Sequence, residues 1–292
     1  MSPRLRLVAA AVLFSTGGTI IKWCGFGAWQ VAAGRALIAL WTMVLLIPEA
    51  GRNWSPRAVL VGIAYAGAGL CFIFANKLTT AASAIFIQAT NPLFILVFAP
   101  LLLHEHVSRR DLEYMAILAL GMGLLLSGPG RRYATAPNPV LGNLFAVGCA
   151  ASWAFTVIGY RWVARRASDG RGAVAAAAVT GNAIVFLVAL PLALPLDAGT
   201  PRDWLTLAFL GVFQLGLGYV FLAGAVPEVR ALAVSLVLLV EPVLSPIWAW
   251  LVHGERPGVR AVRGGIVILA ATAWHAWREP AAMHVPAPAL EG

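Results

Sequence analysis

Glu241 lies at the centre of the apolar run 231–252, which holds no other charged side chain. A charge at a helix centre costs about 2.5–3.5 kcal/mol on insertion scales, so it needs a reason. A solitary carboxylate there is a candidate proton carrier or the partner of a substrate amine; the alternative is a structural polar group beside a helix break. Its neighbour Pro242 removes one backbone hydrogen bond and frees the carbonyl of Leu238, as Pro92 does for Gln88. Each proline follows a polar residue, giving the pairs Asn91-Pro92 and Glu241-Pro242. Gln88 and Asn91 are three residues apart and share a helix face. A polar lining with hinges at Pro92 and Pro242 is therefore expected, because broken helices are tolerated where they line a cavity. A packing kink is the competing reading.

Arg35 lies about 10 Å into its apolar run at 1.5 Å per residue. It is expected either to snorkel to the outer interface, to bind a carboxylate from the cavity wall, or to pair with Glu241. Gln214, Asn182 and Thr180 are further polar groups in mid-run, each of a type that more often bonds helix to helix than helix to ligand. Trp153 is too deep for the interfacial aromatic belt, which leaves a site role or lipid-facing packing. Glu105 and Glu255 fall at the ends of runs, near His104, His106 and His253, where capping or pairing at the interface is expected. No catalytic residue and no metal ligand set is predicted: there is no HExxH, no mid-run His and no pair of intramembrane Asp. Cys24, Cys71 and Cys149 are dispersed in apolar context, without zinc or disulfide spacing. No cofactor is expected, and Gly67-Ala68-Gly69 is buried in an apolar run rather than set in a nucleotide loop.

The elements that position these groups follow from composition. Of 292 residues, 60% are hydrophobic and 11% charged, against about 25% charged in a soluble domain. That excludes a soluble enzyme, a disordered chain and a coiled coil. A bilayer core needs about 20 apolar residues per helix. Ten such runs are present, at approximately 7–23, 28–48, 57–76, 79–103, 110–128, 139–160, 172–194, 204–224, 229–252 and 260–277. They lack the alternation of barrel strands and are too long for them. The fold class expected is an all-α membrane protein, with an uncleaved first span and a disordered tail at 279–292. The net charge of +9 comes from Arg in short loops, which argues against a nucleic-acid partner and for membrane orientation. Placing the N-terminus in the cytoplasm puts 12 Lys and Arg inside and 8 outside. Both termini are therefore expected in the cytoplasm.

The two halves share anchors at constant spacing. Gly67-Ala68-Gly69-Leu70-Cys71-Phe72 returns as Gly216-Leu217-Gly218-Tyr219-Val220-Phe221, and Pro92 and Glu105 return as Pro242 and Glu255. Two repeats of five spans are expected, over 1–130 and 138–278. An odd number of spans inverts the second copy, an architecture of secondary transporters with the substrate near the midplane. The cavity is expected between the third, fourth, eighth and ninth spans.

These features resemble the drug/metabolite transporter superfamily, of the EamA type. The likeness rests on the ten runs in two repeats, on 75–84 (ANKLTTAASA), on 91–94 (NPLF) leading to 103–105 (LHE), and on 239–243 (LVEPV) leading to 253–255 (HGE). Trp153, Ala154 and Arg161 resemble the start of the second repeat; the matching position in the first span is Phe14, where the family often has Trp. The resemblance implies export of small metabolites, often amino acids, across the inner membrane by alternating access without ATP. Proton coupling through Glu241 is expected to accompany this export; efflux of apolar or cationic compounds and passive facilitation are the alternatives to be separated. The expected partners are a small-molecule substrate and the lipid bilayer; the protein is expected as a monomer or dimer.

Overall fold

A computed structural model of the chain describes residues 2–51, 53–103, 108–127, 134–196, 199–225 and 239–278. Glu105 with His104 and His106, the loop pair Arg131 and Arg132, the stretch 229–238 of the ninth run and the tail 279–292 lie outside the described residues.

The described chain is all-helical. Helices α1 (Pro3–Ser15) and α2 (Gly17–Trp23) are followed by α3 (Ala28–Leu46), α4 (Pro56–Leu78), α5 (Ala81–Gln88) and α6 (Asn91–Leu103). Then come α7 (Arg109–Leu126), α8 (Pro139–Ala164), α9 (Gly170–Ala193) and α10 (Pro201–Phe209). A π-helical segment, Leu210–Leu217, leads into α11 (Gly218–Ala225), and α12 (Val240–His253) and α13 (Val259–Arg278) close the fold. Starts are written locally. Ser55 accepts from the Ala58 amide at 3.2 Å ahead of Pro56, and Asp169 accepts from Gly172 at 2.9 Å. Ser108 and Thr200 form reciprocal caps with Asp111 and Asp203.

Among the described residues, seven helical stretches are long and apolar enough to cross a membrane: Leu5–Trp23, Ala28–Leu46, Pro56–Leu78, Ala81–Leu102, Pro139–Ala164, Gly170–Ala193 and Pro201–Leu222. Three of the ten expected spans are not among them. Helix α7 opens with Arg109, Arg110, Asp111 and Glu113, α13 carries Arg260, Arg263 and Arg278, and α12 is 14 residues long. Outward faces remain apolar: Leu45 is 73% exposed, Leu101 71% and Leu205 72%. Alanine dominates the interior. Large apolar residues outside and small ones between helices is the arrangement that lipid permits.

Two expected spans are interrupted. The first turns at Thr16, where the hydroxyls of Ser15 and Thr16 donate back to Val12 and Leu13 carbonyls at 2.7 Å. The fourth breaks after Gln88, and the carbonyl that Pro92 cannot satisfy accepts instead from Asn91 Nδ2 at 3.2 Å. Pro242 sits in the first turn of α12, where a missing N–H is harmless. Close approaches use glycine. A Cβ on Gly62 would stand 3.0 Å from the Gly181 backbone, fixing α4 on α9. Gly121 meets Gly264 where α7 crosses α13, whereas nothing lies within 4 Å of a Cβ on Gly123.

The helices pack in specific pairs: α1 on α11, α4 on α8 and α9, α3 on α9 and on the π segment, α5 on α12, and α7 on α13. Between these helices lies a central cavity.

Candidate substrate-binding cavity

The cavity has a volume of about 300 Å³, the lower end of small-molecule sites. Eight of the residues singled out from the sequence line it: Arg35, Gln88, Asn91, Pro92, Trp153, Gln214, Glu241 and Pro242. The wall is wider than the four spans expected. Phe14 of α1, Arg35 of α3, Trp153 of α8, Asn182 of α9 and Thr272 of α13 join residues of α4, α5, the π segment, α11 and α12.

Arg35 turns inward. It is 5% exposed, so it does not snorkel. One guanidinium nitrogen donates to Gln214 Oε1 at 2.9 Å, and the group stands 5.6 Å from the centre of the Phe72 ring. Arg35 Nε has no partner among the described residues. No ion pair among the described residues joins Arg35 to Glu241, although both face the same space.

Gln214 reaches Arg35 from the π-helical segment. That wider winding inserts a residue into the turn and re-aims side chains, a device that recurs at functional sites. Gly211 and Gly216 let the segment lie on α3; their Cβ atoms would stand 2.5 Å from Ile38 and Thr42 side chains. Gln88 ends α5, and its buried Oε1 also lacks a partner among the described residues. Asn91 spends its amide on the helix break. Asn182 donates to Tyr65 Oη at 3.1 Å, a bond between α9 and α4, while Thr180 bonds back into its own helix.

Aromatic rings complete the wall. Tyr65 lies 6.0 Å from Tyr219 and 6.4 Å from Trp153, and Phe14 lies 5.6 Å from Tyr219. Tyr65, Phe72 and Tyr219 were not singled out from the sequence. A signal existed: Tyr65, Gly69 and Phe72 are spaced four and three apart on one face of α4, and all line the cavity.

Glu255 lies outside this cavity, at the end of α12, where it both pairs and caps. It stands 3.0 Å from Lys22, and its second oxygen accepts the Ala81 amide that opens α5 at 2.9 Å. His253 meets the Thr19 carbonyl at 3.0 Å. Among the described residues there is no group of three side chains able to hold a metal ion.

Described residues that are all helical, with apolar outer faces and a central cavity that is polar at a few points and otherwise aliphatic and aromatic, define a multi-pass membrane protein built to hold a small molecule. The chain belongs to the EamA-like transporter family, whose profile matches residues 4–127 and again 140–276. It is 26% identical to the pseudopaline exporter CntI of Pseudomonas aeruginosa over 275 residues, 91% of this chain and 93% of that protein. It is 24% identical to an uncharacterized transporter of Clostridium kluyveri over 202 residues, 67% of this chain and 63% of that one. A solved crystal structure superposes with a TM-score of 0.63 at 22% identity, over 94% of this chain and 98% of its own; this likeness extends to fold alone. The relatives are transporters, in keeping with small-molecule transport in a membrane.

Proposed function

We propose that the chain exports amino acids or related small solutes across the inner membrane by alternating access. The observation that carries this reading is that Arg35 and Glu241 face one cavity with an aromatic wall. A guanidinium suits a carboxylate, a carboxylate suits an ammonium, and the rings suit an apolar side chain. Proton coupling is assigned to Glu241, whose carboxylate can exchange a proton for the substrate amine. The Pseudomonas relative is an exporter, which supports the outward direction.

In this reading the ten runs form two inverted repeats of five spans, at 1–130 and 138–278, with α7, α12 and α13 as parts of the fifth, ninth and tenth spans. Helix pairing supports it. Shifting every span by five turns the pair α1–α11 into α8–α4, and turns α3 with the π segment into α9 with α4; α3–α9, α5–α12 and α7–α13 map onto themselves. The cavity then lies between repeats, where rocking of one against the other exposes it to each side in turn. Both termini are assigned to the cytoplasm. Lys22, counted on the outer side, has a side chain only 1% exposed, and Lys77 spends its ammonium on the Cys24 and Phe26 carbonyls. The solvated basic groups are thus more one-sided than the sequence count. Two repeats in one chain complete the pathway without a second copy.

The aromatic wall with Glu241 also suits an efflux carrier for cationic apolar compounds, but such a carrier has no use for a buried Arg35. The test is uptake of radiolabelled amino acids into liposomes holding the purified protein, with and without a pH gradient. Uptake of any of them supports the substrate class, and accumulation driven by the gradient supports coupling. No uptake by folded protein overturns the amino-acid assignment, and uptake without accumulation makes the protein a passive facilitator.

A further inference from the structure

We infer that Gln214 sets the charge selectivity of the cavity, by holding the Arg35 guanidinium in place with a neutral acceptor and leaving its charge for a substrate carboxylate. This rests on the reading of the cavity as the substrate site.

Arginine stays charged in any protein environment, so a buried guanidinium must be compensated or must await an anion. Around Arg35 the described residues offer an amide oxygen at 2.9 Å and the face of Phe72 at 5.6 Å, and neither carries a formal charge. Nε is buried and has no partner among the described residues, and Arg35 is part of the cavity wall. Gln214 therefore orients the fork by taking one donor and leaves other donors for a second acceptor, which a carboxylate supplies with two oxygens. The placement of Gln214 is built rather than incidental. It lies in the π-helical turn, and its amide packs on Gly17, whose Cβ would come 2.8 Å from Nε2. Gly17 opens α2 directly after the turn at Thr16, so three segments of chain converge on this one contact. Glutamate has nearly the same shape as glutamine. At position 214 it would satisfy Arg35 with its own charge and leave Glu241 to dominate the cavity.

The test uses the full chain in detergent with two probes of one ring and opposite charge, phenylacetate and phenethylammonium, read as thermal stabilisation. In the unsubstituted protein phenylacetate stabilises, and Arg35→Gln removes that effect. Gln214→Glu is expected to weaken phenylacetate about ten-fold or more, the scale of a lost charge-assisted contact, and to gain affinity for phenethylammonium. Gln214→Asn keeps the neutral amide but shortens its reach. It is expected to weaken phenylacetate several-fold without gain for the amine, and it serves if Gln214→Glu does not fold. Phenylacetate binding through Arg35 that is unchanged by folded Gln214→Glu, or by Gln214→Asn where the first variant fails to fold, overturns the role of Gln214 and leaves the site reading intact. Absence of phenylacetate binding, or binding indifferent to Arg35→Gln, overturns both.

Discussion

Lys22 Nζ stands 3.0 Å from Glu255 Oε1, with side chains only 1% and 2% exposed. The pair ties the end of α2 to the segment after α12. It is fully furnished with further bonds: Lys22 donates to the Thr79 and Thr135 carbonyls at 2.6 Å, and Glu255 accepts from the Thr135 hydroxyl and the Ala81 amide. A buried pair with its remaining valences satisfied adds little net stability over an apolar pair, but removing one member strands the other. Glu255→Gln or Lys22→Met is expected to cost about 3–5 kcal/mol, and replacing both with apolar residues markedly less. Thermal unfolding in detergent checks the ordering. Equal losses from single and double replacements would refute it.

Arg35→Lys separates charge from shape. Lysine keeps the cation but loses the planar fork that holds Gln214 and a carboxylate together. Amino-acid uptake is expected to fall about ten-fold or more in kcat/KM for Arg35→Lys and to vanish for Arg35→Gln. Transport assays in liposomes decide this, and full activity in Arg35→Gln removes Arg35 from the site.

Glu241→Gln keeps the shape of the side chain and removes its titration. With one proton per substrate, a gradient of one pH unit supports about ten-fold accumulation, because a unit is about 1.4 kcal/mol. The variant is expected to equilibrate substrate without accumulation and to lose its dependence on pH. Full transport with full pH dependence would exclude Glu241 as the proton carrier.

The contact of α7 with α13 predicts a contrast between two glycines two residues apart. A side chain at Gly121 meets Ile268 at 2.7 Å and the Gly264 carbonyl at 3.2 Å, whereas Gly123 faces open space. Gly121→Leu is expected to lower stability by about 1–3 kcal/mol through overpacking, and Gly123→Ala to be neutral or mildly stabilising. Melting temperatures of the two variants test it; equal effects would show that the crossing is looser than this.

Much of this protein is written locally along its chain. Apolar runs of bilayer length dictate helices because only helices satisfy their own backbone in lipid. Pro92 marks the break in the fourth run because it cannot donate a hydrogen bond. Arg35, Gln88, Gln214 and Glu241 are legible as candidates because polar groups are costly in such runs. Three-dimensional packing supplied the rest. Arg35 turns inward rather than toward the interface because Gln214, 179 residues away, receives it. The π-helical winding that carries Gln214 depends on its fit against α3, and hydropathy does not record it. Tyr65, Phe72 and Tyr219 read as ordinary core residues until the packing of α1, α8 and α11 turns them onto one cavity. Lys22 and Glu255 read as separate run-end charges until folding joins them. Periodicity and cost report what each residue does to its own helix; which distant helix it faces is settled only when the helices pack.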